Sequence, residues 1–290
     1  MKRSKAEADT VLETARPLPR LRWTMRGETD AGERVAPEET PVAIVHDGST
    51  TAVMMATPAD LEDFAVGFSL TEGVVDAASA IREIDIAPAP LGIEVRLWLA
   101  ADAGARLASR RRRLAGPTGC GLCGIESLAE AVRPVPRVER PPAAIDARVL
   151  VEAMQALSAA QILGQATRAV HAAALWRPGR ELIVREDVGR HNALDKLVGA
   201  CALAGVAAQS AVLLLTSRVS VEMVQKAAVL GAPVVCAVSA PTALAVRTAS
   251  ETGLTLVGVC RPDAFEIFTF PERIRTGAEA PQGDCRAASA

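Results

Sequence analysis

The chain has 290 residues, half of them hydrophobic, with 32 Lys plus Arg against 34 Asp plus Glu for a formal net charge of −2. At about 150 residues per domain this suggests one large domain or two smaller ones with a sizeable core, and it excludes a wholly disordered chain. Balanced charge argues against a dedicated nucleic-acid coat, and an aromatic share of 3% with no Tyr argues against base-stacking platforms.

Residues 1–39 mix charges, Pro and Gly without apolar periodicity, which predicts a mobile tail; the basic start has no apolar stretch behind it, so no secretory signal is expected. Val42–Val45 and Thr51–Met55 read as a hairpin around His46-Asp47-Gly48-Ser49, with His46 solvated in the turn. Thr57 followed by Pro58 reads as a helix cap, and Leu61, Phe64, Ala65, Phe68 and Leu70 supply one helical face. Ile81–Ile86 and Ile93–Leu99 alternate like strands, so a small α+β domain is expected over 40–115.

Residues 116–145 hold a Gly-rich loop with Cys120 and Cys123, then a Pro-rich linker; Arg110–Arg113 precede them as a solvated charge run or a docking patch. Asp146–Leu163 returns to helical spacing. Beyond it, strands at Ala172–Trp176, Leu182–Val184, Ala211–Thr216, Val234–Val238, Leu254–Val259 and Glu266–Phe270 are expected. They alternate with helices at Asn192–Leu203, Ser220–Leu230 and Pro241–Glu251. That grammar predicts an α/β domain over 146–275 whose sheet has a parallel section, followed by a tail at 276–290. Pro233 and Pro241 interrupt the long uncharged stretch Val229–Val246, so a strand and a helix read better there than a membrane span.

In such sheets ligands sit where strands end and helices begin. The junctions here carry Arg190, His191 and Asn192, then Arg218 and Ser220, then Ser239 and Thr242, then Cys260 and Arg261. Helix N-termini with forked arginines suit a phosphate or another anion; the plainer alternative makes Asn192, Ser220 and Thr242 ordinary caps and pairs the arginines with Glu186, Asp187 and Glu222. Cys120 and Cys123 fit a partial zinc site, a redox pair, or a nucleophile on a mobile arm that carries a group between two sites. His171 reads as a structural histidine and His191 as a functional one; Cys201 and Cys236 read as core thiols and Cys285 as a tail residue. Six cysteines without a second CxxC make no disulfide scaffold, so reduced thiols in the cytoplasm are expected.

Longer motifs carry a resemblance. Thr118-Gly119-Cys120-Gly121-Leu122-Cys123-Gly124, His171-Ala172-Ala173-Ala174-Leu175 and the block from Glu186 to Leu197 are similar to the formate dehydrogenase accessory sulfurtransferase (FdhD) family. Ser220–Ala227, Ser239-Ala240-Pro241-Thr242 and Pro271-Glu272-Arg273-Ile274 continue the match in order. The resemblance implies a cytidine-deaminase-like mixed sheet flanked by helices, beside the smaller N-terminal α+β domain, in a homodimer without zinc chemistry or any other bound metal. It implies a sulfurtransferase that receives a persulfide on Cys120, partnered by Cys123, from a cysteine desulfurase. The sulfur then passes to the molybdenum bis(molybdopterin guanine dinucleotide) cofactor, bound as substrate, before that cofactor enters formate dehydrogenase. The segment Val259, Cys260, Arg261, Pro262, Asp263 and Ala264 matches a cofactor-contacting loop; the junction residues Arg190, His191, Asn192, Arg218, Ser239 and Thr242, read above as suited to an anion, are then expected as further contacts to its phosphates. Partners in nucleic acid or membrane are not expected. A non-enzymatic cofactor chaperone and a zinc hydrolase or deaminase built on the CxxC are the alternative classes. Three positions depart from the family pattern, at Thr167-Arg168-Ala169-Val170, Thr216-Ser217-Arg218 and Val259-Cys260-Arg261.

Overall fold

The computed structural model describes residues 2–3, 12–105, 135–141 and 143–277. Part of the expected tail is ordered as a two-stranded antiparallel ribbon, β2 (Ala15–Trp23) and β3 (Thr29–Pro37), which follows a short β1 (Lys2–Arg3). Pro17 and Pro19 hide the strand pattern in sequence, but prolines are tolerated on an edge strand, and here both strands are edges. Arg20 bridges to Asp30 across the ribbon at 3.1 Å, and Arg34 Nη2 donates to the Thr167 carbonyl at 3.0 Å, tying the ribbon to the body. The remaining tail residues 4–11, the CxxC loop with Arg110–Arg113, and Cys285 in the C-terminal tail lie outside the described residues.

The expected hairpin is β4 (Thr40–His46) and β5 (Ser49–Ala56), turning through Asp47 and Gly48 at φ 48° and 75°. With β6 (Ile81–Ala89) and β7 (Gly92–Leu99) it forms a five-stranded sheet ordered β1-β6-β7-β4-β5. Helix α1 (Leu61–Thr71) covers one face, where Phe64, Ala65 and Phe68 join Val42, Ile44, Val95 and Leu97 in a buried cluster. His46 is not solvated. It is fully buried, with Nδ1 at 2.7 Å from Thr51 Oγ1 and Nε2 at 2.8 Å from Ser69 Oγ, because β7 and α1 close over the end of β4.

The second unit opens with β8 (Ile145–Asp146) and α2 (Ala147–Ala160), whose cap Asp146 accepts from the Arg148 amide at 3.0 Å. The single helix expected over 146–163 breaks at Gln161. A separate α3 (Ile162–Thr167) begins there, because the Glu186 carboxylate accepts from the Leu163 and Gly164 amides at 2.9 and 2.7 Å and so caps a new N-terminus. A six-stranded sheet then assembles from β9 (His171–Trp176), β10 (Ile183–Asp187), β11 (Val212–Leu215), β12 (Val234–Ala237), β13 (Thr255–Gly258) and β14 (Glu266–Ile267). Its order is β10-β9-β11-β12-β13-β14, parallel through β11, β12 and β13 and antiparallel elsewhere, so the mixed α/β architecture is as expected. The last strand is shorter than the sequence suggests, since Thr269 leaves the ladder to accept from the Leu256 amide through its hydroxyl.

Side-chain alternation divides the core in two. Ala173, Leu175, Leu213, Leu215, Val235 and Leu256 face α4 (Arg190–Leu203), α5 (Val221–Leu230) and α6 (Ala243–Thr252). Ala172, Ala174, Val212, Leu214, Val234 and Val257 face Leu150, Ala153, Met154 and Leu157 of α2. The Pro-rich segment docks against this unit: Val138 is buried and its amide donates to the Thr252 carbonyl at 2.8 Å. Beyond β14, β15 (Ile274–Arg275) pairs in parallel with β8.

The two units meet where α1 crosses α4. A Cβ at Gly67 would lie 1.7 Å from the Asp195 carbonyl oxygen, and one at Gly199 would lie 1.8 Å from the Asp63 carbonyl oxygen. Only glycine permits backbones this close. Among the described residues no helix is long and apolar enough to cross a membrane.

Candidate functional site

The parallel strands β11, β12 and β13 all end on one edge, and the loops leaving them interlock. The Val238 amide donates to the Leu215 carbonyl at 2.9 Å, the Thr242 amide to Val219 at 3.0 Å, and the Cys260 amide to Ala237 at 3.0 Å. The edge therefore brings Arg218, Ser239, Thr242 and the Val259–Ala264 segment together. His171, at the start of antiparallel β9, and Asp187, at the end of β10, share this edge and face each other in register. Val259 has φ 51°, a conformation that costs a β-branched residue on the order of 1–3 kcal/mol. The strain sits where the chain turns out of β13 towards Arg261. Beyond it, Pro262, Asp263 and Ala264 form one wall of a cavity of about 470 Å³, with Arg148, Glu152 and Gln155 of α2 opposite.

The plainer pairing of acids with arginines is not the one found. Glu186 caps α3, Asp187 pairs with Lys196, and Glu222 faces His191. Among the described residues neither Arg190 nor Arg218 reaches an acid, and Arg261 donates Nη1 to the Val238 carbonyl at 2.6 Å and to its neighbour Cys260 at 3.1 Å. Arg218 and Arg261 are exposed, just beyond the ends of β11 and β13. Thr242 does cap α6, its hydroxyl oxygen accepting from the Ala245 amide at 3.3 Å; Ser220 occupies the cap position of α5, but its buried hydroxyl makes no hydrogen bond there.

Asn192 and Thr57 have roles that the sequence reading did not assign. The cap of α4 is Gly189, not Asn192, and the residue before α1 is Asp60, not Thr57. Both side chains serve a buried lock between the two units. Asp187 accepts from the Gly189 amide at 2.7 Å and Asn192 Nδ2 at 2.9 Å through Oδ1 and from the Thr57 amide at 3.0 Å through Oδ2, and Lys196 Nζ sits 2.7 Å from Oδ2. Lys196 also donates to the Thr57 carbonyl at 2.9 Å, Thr57 Oγ1 accepts from the Val188 amide at 3.1 Å, and Asn192 donates to the Met55 carbonyl at 2.8 Å. Asp187 and Lys196 are both fully enclosed. Arg185 adds a second tie at the rim, donating Nε to Asp63 at 2.7 Å. Asn192 is thus committed to holding the β10–α4 turn against the end of β5.

Beside this lock, α4 and α5 form a two-rung ladder, each rung four residues along its helix. His191 Nε2 lies 2.7 Å from Glu222 Oε2, although the ring N–H does not point squarely along that line. One turn deeper, Lys226 Nζ contacts both Asp195 oxygens at 2.9 and 3.0 Å, Glu72 at 2.8 Å and Thr71 Oγ1 at 2.9 Å. Burial raises the Asp195 carboxyl above its ordinary value, opposed by Lys226. For Lys226, burial alone would lower the ammonium, but Asp195 and Glu72 together outweigh it and hold it above the usual lysine value. Burial lowers the His191 imidazole below its ordinary value, with Glu222 opposing and Arg190 reinforcing. Burial, again with Arg190, also lowers His171.

Cys201 and Cys236 are core thiols as expected, and burial pushes Cys201 up to about 11. Cys236 is not isolated: its thiol hydrogen-bonds to Cys260, which raises Cys236 and lowers Cys260. Nothing in the spacing of these two cysteines announces their contact, which follows from β12 and β13 being neighbours. Among the described residues no group of three His, Cys, Asp or Glu side chains is placed to hold a metal ion.

A family model described as the FdhD/NarQ family matches residues 37–275. The chain belongs to that family. The matched span takes in the strand-end edge, the buried lock and Cys120-Gly121-Leu122-Cys123, whereas the β2–β3 ribbon precedes it. A protein of Agrobacterium fabrum named sulfur carrier protein FdhD is 53% identical over 255 residues, covering 87% of this chain and 94% of the relative. One of the same name from Cupriavidus necator is 51% identical over 255 residues, covering 88% of each. A crystal structure of a protein from Desulfotalea psychrophila, assigned as a formate dehydrogenase accessory protein, superposes with a TM-score of 0.69 at 25% identity, over 90% of this chain and all of that one.

Proposed function

We propose that this protein is a sulfur carrier in formate dehydrogenase maturation, moving a sulfur atom from a cysteine desulfurase to the molybdenum bis(molybdopterin guanine dinucleotide) cofactor, its substrate. The observation that supports this most is the strand-end edge itself. Arginines that meet no acid among the described residues stand exposed on these interlocked loops, in a family whose relatives are named sulfur carriers. A cofactor bearing nucleotide phosphates suits such an edge, with Arg218, Arg261, Ser239 and Thr242 as its contacts and the Val259–Ala264 turn as its wall.

The chemistry belongs to Cys120. Its thiolate attacks the outer sulfur of the donor persulfide, the donor cysteine leaves as thiolate, and Cys120 then carries the persulfide. In delivery the Cys123 thiolate attacks the Cys120 sulfur, the S–S bond to the outer sulfur breaks so that it leaves at the sulfide level to the metal, and the resulting Cys120–Cys123 disulfide is reopened by a dithiol reductant. The glycines around both thiols suit an arm that must visit two sites. His191 and Glu222 frame the edge from α4 and α5, and Asn192 acts by holding the turn that carries them. In this reading the protein works in the cytoplasm as a homodimer, and its six-stranded sheet is a cytidine-deaminase-like one adapted to hold a nucleotide cofactor.

Cys120→Ala is expected to abolish activation of formate dehydrogenase in cells that lack the wild-type protein, while the variant remains folded and abundant. Activation at the wild-type level would turn the reading towards a cofactor chaperone that carries no sulfur.

A further inference from the structure

We infer that the cavity walled by Arg140, Pro141, Ala143, Ala144 and Arg273 is an oxyanion site, shaped for a phosphate or diphosphate group and separate from the strand-end edge. Its floor is Arg273, which is 8% exposed. The Pro271–Arg273 turn follows Phe270 at φ 52° and lays the guanidinium 4.1 Å from the Phe270 ring centroid. Arg273 Nη1 is anchored to the Gly253 carbonyl at 2.6 Å and to Thr255 Oγ1 at 3.3 Å, which fixes the fork in one orientation.

One arm of the fork is unsatisfied. Nε is buried and makes no hydrogen bond, and the carboxylate of Glu272 stands 3.9 Å away on a side chain that is 58% exposed. A buried guanidinium so weakly paired is costly unless a counter-charge arrives. The opposite wall carries a second guanidinium, Arg140, which is exposed and has no hydrogen-bond or ion-pair partner among the described residues. Two like charges on one cavity, against one poorly placed acid, leave a net positive site; burial and Arg140 both depress Arg273. The remaining walls, Pro141, Ala143 and Ala144, offer no carboxylate to compete. A cavity volume of about 410 Å³ has room for a diphosphate. Planar forks on two walls match an oxyanion's geometry, as single ammonium groups would not.

Position separates this site from the proposed cofactor edge. Arg273 is bound to the start of β13 through Gly253 and Thr255, whereas Arg261 follows its end. The length of the strand, on the order of 10 Å, lies between them.

Isothermal titration of the full-length chain at low salt tests the site, with pyrophosphate, GDP and guanosine as probes. Pyrophosphate and GDP are expected to bind with similar affinity and guanosine not at all, which makes the phosphate group and not the nucleoside the recognised element. Arg140→Gln, a surface change that leaves the fold intact, is expected to weaken pyrophosphate about tenfold, the loss of one charge-assisted contact. Arg273→Lys keeps the charge but loses the fork and is expected to weaken it to a similar degree. Arg82→Gln, at an exposed arginine on β6 of the first unit, is expected to leave pyrophosphate binding unchanged. Wild-type affinity in Arg140→Gln, an equal loss in Arg82→Gln, guanosine binding as well as GDP, or no pyrophosphate binding to the wild type would each overturn the inference. None of these results bears on sulfur transfer by Cys120.

Discussion

Asp187→Ala is expected to cost about 3–5 kcal/mol of folding stability, the penalty of stranding a buried charge. The carboxylate collects the Thr57 and Gly189 amides, the Asn192 side chain and the Lys196 ammonium in one enclosed spot. Truncation removes all four contacts at once. Lys196 is left fully buried with the Thr57 carbonyl as its one remaining hydrogen bond and the Phe64 ring 5.9 Å away. Because Thr57 belongs to the first unit and Asp187 to the second, the loss also loosens the turn that carries His191. Urea unfolding of the variant would show the effect as a lower midpoint, and a change below about 1 kcal/mol would mean that the lock does not hold the units together.

Gly67→Ala is expected to destabilise by about 3 kcal/mol or more, since a single methyl group must force two helices apart. Its Cβ would fall 1.7 Å from the Asp195 carbonyl oxygen and 2.8 Å from the Gly199 amide nitrogen, and both are backbone atoms that cannot swing away. In an isolated helix the same exchange would stabilise by about 1 kcal/mol, so the sign itself is diagnostic. Displacing α1 from α4 also pulls Thr71 and Glu72 away from Lys226. Thermal unfolding would report the loss, and a variant as stable as the wild type would contradict the close crossing.

What the sequence made legible was what local pattern controls. Apolar runs marked β11, β12 and β13, and alternation within them assigns residues to the two core faces. Capping and Gly signals placed α5 and α6 closely, and the gathering of Arg218, Ser239, Thr242 and Arg261 at one edge followed from the strand–helix grammar. What escaped depended on partners far along the chain. His46 reads as a turn residue until Ser69 closes over it, and Thr57 reads as a cap until Asp187, 130 residues later, takes its amide. Glu186 breaks a helix from a distance of 22 residues, which no window over Asp146–Leu163 can contain.

Signals for part of this were present. Beyond its polar first turn, Asp195 and Lys196 are the charges in an apolar stretch of α4, and charges on a buried face call for partners. Gly67 and Gly199 sit inside helices where glycine is unfavourable, a mark of close approach. The β2–β3 ribbon had no comparable signal, because its prolines and charges imitate an unstructured tail.

The central claim is that Cys120 carries the sulfur. Incubating the full-length protein with a cysteine desulfurase and cysteine, then measuring the intact mass of the peptide containing Cys120, tests it most directly. A gain of ~32 Da, one sulfur atom, that reductant removes and that Cys120→Ala abolishes is the predicted result. An unmodified Cys120 peptide, with the desulfurase turning over and the protein folded, would contradict it.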